Sequence, residues 1–334
     1  MEVKSIIVKN VENVEIVNET IDENNLGPCE AFIETYYSHI SPGTELSRVF
    51  GIKKGATYPC RVGYCAVGKV LAKGDELPHI DVGDFVLYSG THSSYHVFDY
   101  RKSDGGILYK LDPALPLDQA VCLVMCWIAM NGILCTDVMV TDTVAIFGLG
   151  VLGQILSILY KEAGVKVIGV DPMKNRTKHL TLDFLIDDPK TAVEKIMAYT
   201  DNIGVDIAVD ASGNSQGVIS AVEVARKYGQ VVLLGSPRAA YETNVSPVFY
   251  AIHMKNLTVK GALNRLFPFN VEEGKRFNIK ESLDYLSGLM LKGKIDTSKI
   301  VSHTIKVEDV MEAYRGLMYD KNNYIGVIID WKKE

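Results

Sequence analysis

The chain has 334 residues, 47% hydrophobic and 23% charged, a balance that suits about two globular domains. Its formal net charge is −6 and no basic stripe runs along it, which argues against nucleic acid or an anionic membrane as partner. The charged N-terminal stretch "MEVKSIIVKNVENVEIVNET" lacks the apolar segment of a secretory leader, and six scattered cysteines suit thiols in a reducing compartment, so a cytoplasmic protein is expected.

In chain order, the first ~110 residues read as short strands and turns. "KSIIVKN", "VEIVNE", "CEAFIETYYSHI", "AVGKVLAKG", "DFVLYSG" and "SYHVFDY" are the β-rich runs. "SPGTE", "KKG", "VGD" and "SDGG" are the turns between them. This predicts an all-β module with a partly closed sheet. The longest apolar run, "AVCLVMCWIAMNGILC" at 120–135, falls short of the ~20 residues a spanning helix needs and reads as a buried helix. From there helical stretches alternate with apolar strands at "TVAIFG", "VKVIGVD", "VDIAVDAS", "QVVLLGS" and "LTVKGAL". Strands of that kind predict a parallel sheet covered on both faces. The tail is a helix at "IKESLDYLSGLMLKG", a strand "IVSHTI", a helix "VEDVMEAYRGLM" and a strand "NYIGVIIDW". It is expected to return to the first module. The expected division is 1–117 with 264–334, and 118–263.

"AIFGLGVLGQIL" places Gly148, Gly150 and Gly153 in G-x-G-x-x-G spacing, after a predicted strand and opening a predicted helix. In that context the first glycine turns the chain, the second admits a pyrophosphate, and the third lets helix and strand pack. The whole loop, with Leu149, Val151 and Leu152, is the predicted cofactor cradle. Asp171 ends the next strand, where its carboxylate would accept both hydroxyls of an adenosine ribose and repel a 2′-phosphate. NAD is therefore expected in preference to NADP, with Lys174 and Arg176 as the opposing signal. Ala211, Ser212 and Gly213, and Leu234, Gly235 and Ser236, end two further strands and would line the same edge. A glycine turn that only packs a helix is the alternative.

These modules together resemble the medium-chain dehydrogenase/reductase superfamily over essentially the whole chain. "YSHISPGTE" (37–45) sits where that family has its first catalytic loop, and "YPCRVGYCAVGKV" (58–70) where it has a glycine-histidine-glutamate motif. "IVSHTIKVEDVMEAYRGL" resembles its C-terminal strand and helix. The "S-x-G-T-E" and "Y-P-x-x-x-G-Y" pair looks most like the branch of bacteriochlorophyllide and cyclitol dehydrogenases. The resemblance implies a GroES-like β-barrel catalytic domain joined to a Rossmann domain. It implies hydride transfer between NAD(H) and a secondary alcohol or polyol, and a homodimer paired through the edge of the cofactor sheet, around "LTVKGAL".

The zinc ligands of the family fall here on Ser41, on Tyr64 and near Met125, with Cys65 in place of the motif glutamate. Serine and tyrosine are poor zinc ligands at neutral pH. Residues 66–121 contain none of the four cysteines of the family's structural zinc lobe. No zinc is expected, with a site built from Cys60, Cys65, Cys122 or Cys126 as the alternative. Without a metal, a hydrogen-bond donor must serve the substrate oxygen. Tyr64, with a lowered pKa, is one candidate, the alternative being that it fills the volume the metal left. By resemblance Thr44 starts a proton relay, unless it only bonds its own turn. Glu45 would accept from Tyr64 or cap the following helix. His39 would serve the relay or be a core histidine. His92, Met125, Trp127, Asn264 and Phe267 would surround a substrate pocket, although a Met/Trp helix face is commonly plain core. The competing functions are an enone or quinone reductase and a non-catalytic NAD(H)-binding protein.

Overall fold

The computed structural model describes every residue except 53–54, 78, 102–105, 238, 264–266, 271, 275 and 333–334. The chain divides into two compact units, Met1–Val124 with Pro268–Glu334, and Met125–Phe267.

The first unit is β-rich. It contains β1 (Glu2–Asn10), β2 (Asn13–Thr20), β3 (Glu30–Ile40), α1 (Pro42–Val49), β4 (Cys60–Arg61), β5 (Ala66–Lys73), β6 (Phe85–Tyr88), β7 (Tyr95–Asp99), β8 (Leu108–Lys110) and α2 (Leu117–Ala120). β2, β1 and β4 form a three-stranded antiparallel sheet. The larger sheet runs from β8 through β6 and β5 to β3, which also pairs with β7. Ala31, Ile33, Ala66, Val70, Val86, Tyr88 and Phe98 bury one common face of these strands. Alternate residues of a strand share a face, so β-branched and aromatic residues spaced by two supply the core.

The C-terminal segment completes this unit. Its elements in the order of the whole chain are α8 (Ile279–Leu291), β15 (Val301–Ile305), α9 (Val310–Tyr319) and β16 (Gly326–Asp330). β16 lies antiparallel to β3, with Ile329 opposite Ser38 and Ile328 opposite His39. α9 turns Val310, Ala313, Tyr314 and Leu317 inward at helical spacing. They pack with Leu46 and Val49 of α1 and with Val327, Ile329 and Trp331.

The second unit alternates strand and helix. α3 (Leu123–Leu134) crosses the division and is apolar on every side, as a buried helix is. Then follow β9 (Thr143–Phe147), α4 (Val151–Glu162), β10 (Lys166–Val170), β11 (Phe184–Ile186), α5 (Ala192–Tyr199), β12 (Val205–Asp210), α6 (Ser215–Val224), β13 (Ala225–Leu233), α7 (Ser246–Lys255) and β14 (Thr258–Gly261). The six strands are parallel in the order β11-β10-β9-β12-β13-β14. That is the doubly wound order whose direction reverses beside β9, where this architecture binds dinucleotides. β8 and β11, at three residues each, are too short to show a strand period in the sequence. Among the described residues no helix is long and apolar enough to cross a membrane.

Candidate functional site

Each unit contributes its own set of residues. In the second unit the loop between β9 and α4 has the geometry that a pyrophosphate requires. Gly148 has φ +94°, and a Cβ there would lie 2.8 Å from the Cα of Ser212. A Cβ on Gly153 would lie 1.9 Å from the carbonyl oxygen of Gly148, so only glycine lets α4 start this close to the turn. A Cβ on Gly150 would meet nothing within 4 Å. Gly150 is the N-cap of α4 and no side chain caps that helix end. The open space over an uncapped helix N-terminus suits a pyrophosphate, which backbone N–H groups and the helix dipole would hold.

The neighbouring loops are tied together by Asp210 at the end of β12. Its carboxylate accepts from the N–H groups of Ser212 (3.1 Å) and Gly213 (3.2 Å) and from the Ser212 hydroxyl. Its carbonyl accepts from Leu234 N (2.9 Å) and Gly235 N (2.8 Å). Burial pushes the Asp210 carboxyl up, against these hydrogen bonds. The six expected lining residues Ala211 to Gly213 and Leu234 to Ser236 therefore stand side by side at the carboxyl edge of the sheet.

Asp171 does something other than wait for a ribose. Its Oδ2 accepts from Leu149 N (2.7 Å) and from Arg176 Nη1 (3.1 Å), and its Oδ1 accepts from Met173 N (2.8 Å). It is 3% exposed. The expectation of a carboxylate open to both ribose hydroxyls is corrected: the acid first anchors the glycine loop.

In the first unit the end of β3, the start of α1 and the turn before β5 converge. Glu45 is buried, and its Oε1 accepts from Ser41 N at 2.6 Å while its own N donates to Ser41 O. This is a helix cap made from the first turn, with the acid placed well for the helix dipole. Its Oε2 accepts from His92 Nε2 (2.8 Å) and Tyr314 OH (2.7 Å). His92 Nδ1 lies 2.8 Å from Ser38 Oγ, which also accepts from Trp331 Nε1 at 2.8 Å. One proton assignment satisfies every atom: Trp331 donates to Ser38, Ser38 to His92 Nδ1, and His92 Nε2–H to Glu45. Burial pushes the Glu45 carboxyl up, but His92 beside it and the hydrogen bonds from His92, Ser41 and Tyr314 hold it below the usual glutamate value. Gly63, at φ +95°, makes room for this cluster, because a Cβ there would lie 2.7 Å from His92 N and 2.8 Å from its ring.

Tyr64 lies beside the cluster. Its hydroxyl is 2.7 Å from Ser41 Oγ and bonds Thr44 as well. Of the two roles expected for Glu45, the helix cap is the one seen: it accepts from Ser41, His92 and Tyr314 and not from Tyr64. The Tyr64 phenol is pushed up and not down, chiefly by burial, and the neighbouring Cys65 and Glu45 further disfavour a phenolate. Of the two roles expected for His39, the structure shows the core histidine: it is fully buried, neither ring nitrogen has a partner among the described residues, and burial lowers its pKa to about 4. His92 is a buried hydrogen-bonded residue and not a pocket wall. Met125 and Trp127 are buried, Phe267 is half-buried, and Asn264 lies outside the described residues.

The donor set does not fit zinc. Ser41 and Tyr64 are hydroxyls bonded to each other. Burial, with Glu45 and Cys122 nearby, pushes the Cys65 thiol well up. Among the described residues no three His, Cys, Asp or Glu side chains are gathered as metal ligands. Tyr314, Trp331 and Ser38 were not foreseen. Tyr314 meets Glu45 across 269 residues of chain, and no local pattern announces such a pair.

A two-unit chain with a doubly wound sheet and a glycine loop at its switch point is a dinucleotide-binding protein in architecture. The zinc-binding dehydrogenase family profile matches residues 151–273. The chain is 27% identical to alcohol dehydrogenase 1 of Pisum sativum, over 65% of this chain and 56% of that protein. It is 30% identical to D-guloside 3-dehydrogenase of Escherichia coli, over 57% of this chain and 58% of that protein. These matched stretches span somewhat over half the length of each relative. The fold is similar to that of 2R,3R-butanediol dehydrogenase from Bacillus subtilis, with a TM-score of 0.79 at 20% identity, covering 98% of this chain and 99% of that one. The chain is thus similar in part of its sequence to zinc-type alcohol dehydrogenases, and similar to them in fold.

Proposed function

We propose that this protein is an NAD(H)-dependent oxidoreductase that interconverts a secondary alcohol or polyol and a ketone without catalytic zinc. The observation that carries the reading is the glycine loop, with Gly150 open over the uncapped N-terminus of α4, in a chain similar to zinc-type alcohol dehydrogenases. The dinucleotide, when bound, supplies or accepts the hydride. The chain's own residues handle the oxygen. Tyr64, Ser41 and Thr44 form a trio of hydroxyls. A phenol whose pKa is raised stays protonated at neutral pH, so Tyr64 is the proton donor in the direction of ketone reduction, and alcohol oxidation runs the same proton transfer backwards. The alkoxide left when hydride reaches a carbonyl carbon is a stronger base still, and it takes the Tyr64 proton. Thr44 and Ser41 return a proton from solvent. Glu45 fixes the turn that holds Ser41 and Thr44. The zinc-free part rests on the hydroxyl and thiol donor set and on the rival bonds that Glu45 and His92 already make.

The test is NADH oxidation on a panel of ketones and sugar ketones against enones, with metal content measured on protein purified without chelator. Turnover on ketones with less than ~0.1 equivalent of zinc is expected. Tyr64→Phe is expected to lower kcat by ~10²-fold or more. One tightly held equivalent of zinc that is needed for turnover would refute the metal-free mechanism.

The same reading includes a homodimer. Among the described residues β14 ends the sheet with one side unpaired, and all four of its residues are exposed. Val259 on it and Phe249, Tyr250 and Met254 on α7 expose large apolar groups. A bare strand edge of this kind calls for a partner, and a second copy supplies the matching edge.

A further inference from the structure

Asp210 ends β12 between β9 and β13, opposite Phe147 on one side and Leu233 on the other, and it is fully buried. Its carboxylate anchors the turn into α6. Oδ1 accepts from the N–H and the hydroxyl of Ser212, and Oδ2 accepts from Gly213 N. Ser212 Oγ in turn accepts from Asn214 N at 3.1 Å, and the Asn214 side chain caps α6 by accepting from Gln216 N.

Two glycines hold this turn at close range. A Cβ on Gly148 would lie 2.8 Å from Ser212 Cα, so the cofactor loop is seated on the residue that Asp210 holds. Gly217 lies in the first turn of α6, and a Cβ there would lie 2.6 Å from Asp210 Oδ1 and 2.9 Å from Ser212 Oγ. Alanine is ordinarily the better residue inside a helix. At 217 the carboxylate fills the place an alanine methyl would take. The loop after β13 hangs on the same residue. The Asp210 carbonyl accepts from Leu234 N and Gly235 N, and a Cβ on Gly235 would lie 2.3 Å from Gly213 N. The loops after β9, β12 and β13 therefore meet through Asp210.

We propose that Asp210 is the positioning residue of the dinucleotide site and that its charge sets how tightly the cofactor binds. The inference rests on the dinucleotide reading of the glycine loop. The carboxylate aims the Ser212–Gly213 turn, and that turn supports the loop that receives the pyrophosphate. Protonation removes the charge that strengthens all three carboxylate bonds and turns one acceptor position into a donor. Among the described residues no charged side chain faces the group: β9 presents Phe147, β13 Leu233, α6 Gly217, and the turn Ser212 and Gly213. Burial pushes the carboxyl up, only partly offset by its hydrogen bonds. Cofactor affinity therefore falls as the pH is lowered and the carboxylate takes up its proton.

The experiment is fluorescence titration of the full chain with NADH between about pH 7.5 and 4.5, with a thermal melt at each pH to establish that the protein is folded. The parent is expected to bind more weakly as the pH falls. Asp210→Asn keeps the shape but offers one oxygen to three donors, and its amide N–H groups oppose a backbone N–H. It is expected to bind NADH about tenfold or more weakly at neutral pH, as loss of a charge-assisted hydrogen bond requires, and to lose the pH dependence. Gly217→Ala keeps the charge and displaces the carboxylate. It is expected to weaken NADH about threefold or more and to keep the pH dependence. A role confined to folding would not separate the two pH profiles. Parent-like affinity in Gly217→Ala would overturn the proposal, whether or not Asp210→Asn folds. An Asp210→Asn variant with the parent's pH profile would do the same, as would a parent whose affinity is flat with pH. Each of these leaves the dinucleotide reading standing, whereas a parent that binds neither NADH nor NADPH removes that reading and this proposal together.

Discussion

Replacing Glu45 by leucine tests the cluster that organises the candidate catalytic turn. The change keeps the side chain's bulk and removes its two oxygens. Three donors point at those oxygens: Ser41 N at 2.6 Å, His92 Nε2 at 2.8 Å and Tyr314 OH at 2.7 Å. His92 can escape by moving its proton to Nδ1, because Ser38 Oγ is 2.8 Å away and can accept. The Ser41 N–H is fixed in the backbone, and Tyr314 is buried where no water reaches it. Two orphaned donors remain, at ~1–3 kcal/mol each. Relief of the buried carboxylate's desolvation offsets some of this, and loss of one member of a buried ionic network costs ~3–5 kcal/mol in measured cases. We therefore expect Glu45→Leu to cost about 4 kcal/mol. For a unit of 150–250 residues that lowers Tm by roughly 8–16 °C at neutral pH. Tyr314→Phe, which removes one donor and leaves the others, should cost about 1 kcal/mol. Thermal melts followed by circular dichroism measure both. A Glu45→Leu protein that melts within 2 °C of the parent, on a scale of about 2–4 °C per kcal/mol, would show that these bonds do not hold the turn.

His39 makes stability fall in mild acid. Its pKa is about 4 in the folded chain against 6.5 unfolded, so between those values the unfolded chain binds more protons. Stability is flat above pH 6.5 and drops by about 2 kcal/mol by pH 5, read as a lower urea midpoint; a His39→Leu variant that keeps the full drop would assign it elsewhere. Gly63→Ala forces a positive φ on alanine and drives its methyl to within 2.8 Å of the His92 ring, so a loss of at least about 3 kcal/mol is expected, and wild-type stability in a denaturant titration would contradict it. Lys255 donates from Nζ to the carbonyls of Glu223 (2.6 Å) and Ala225 (2.9 Å) at the end of α6. Lys255→Met should cost about 1–2 kcal/mol, and its stability loss should be nearly independent of salt because the groups it leaves are carbonyls; a neutral result by calorimetry would count against a capping role.

Much of this architecture is legible in one dimension. Apolar runs alternating with helical stretches require a covered parallel sheet, since strands buried on both faces cannot afford polar residues. "GLGVLG" announces its turn because steric exclusion at Gly148 and Gly153 is a local matter, set by atoms a few residues away. The expectation of a zinc-free site likewise comes from the identities at Ser41, Tyr64 and Cys65, because ligand chemistry belongs to the side chain.

What the sequence leaves open is what each polar group is bonded to. Asp171 looks like a ribose acceptor until Leu149, Met173 and Arg176 are seen to fill it. Glu45 looks like a partner for Tyr64 until α9 brings Tyr314 against it, and β3 brings Ser38 to bridge His92 and Trp331. Tyr64 looks like an acid with a lowered pKa until its burial is known, and burial reverses the sign. Hydrogen-bond partners and desolvation are properties of position in space. Residues hundreds of positions apart decide them, so local spacing names the groups at a site and only the tertiary structure assigns their charge, their protons and their work.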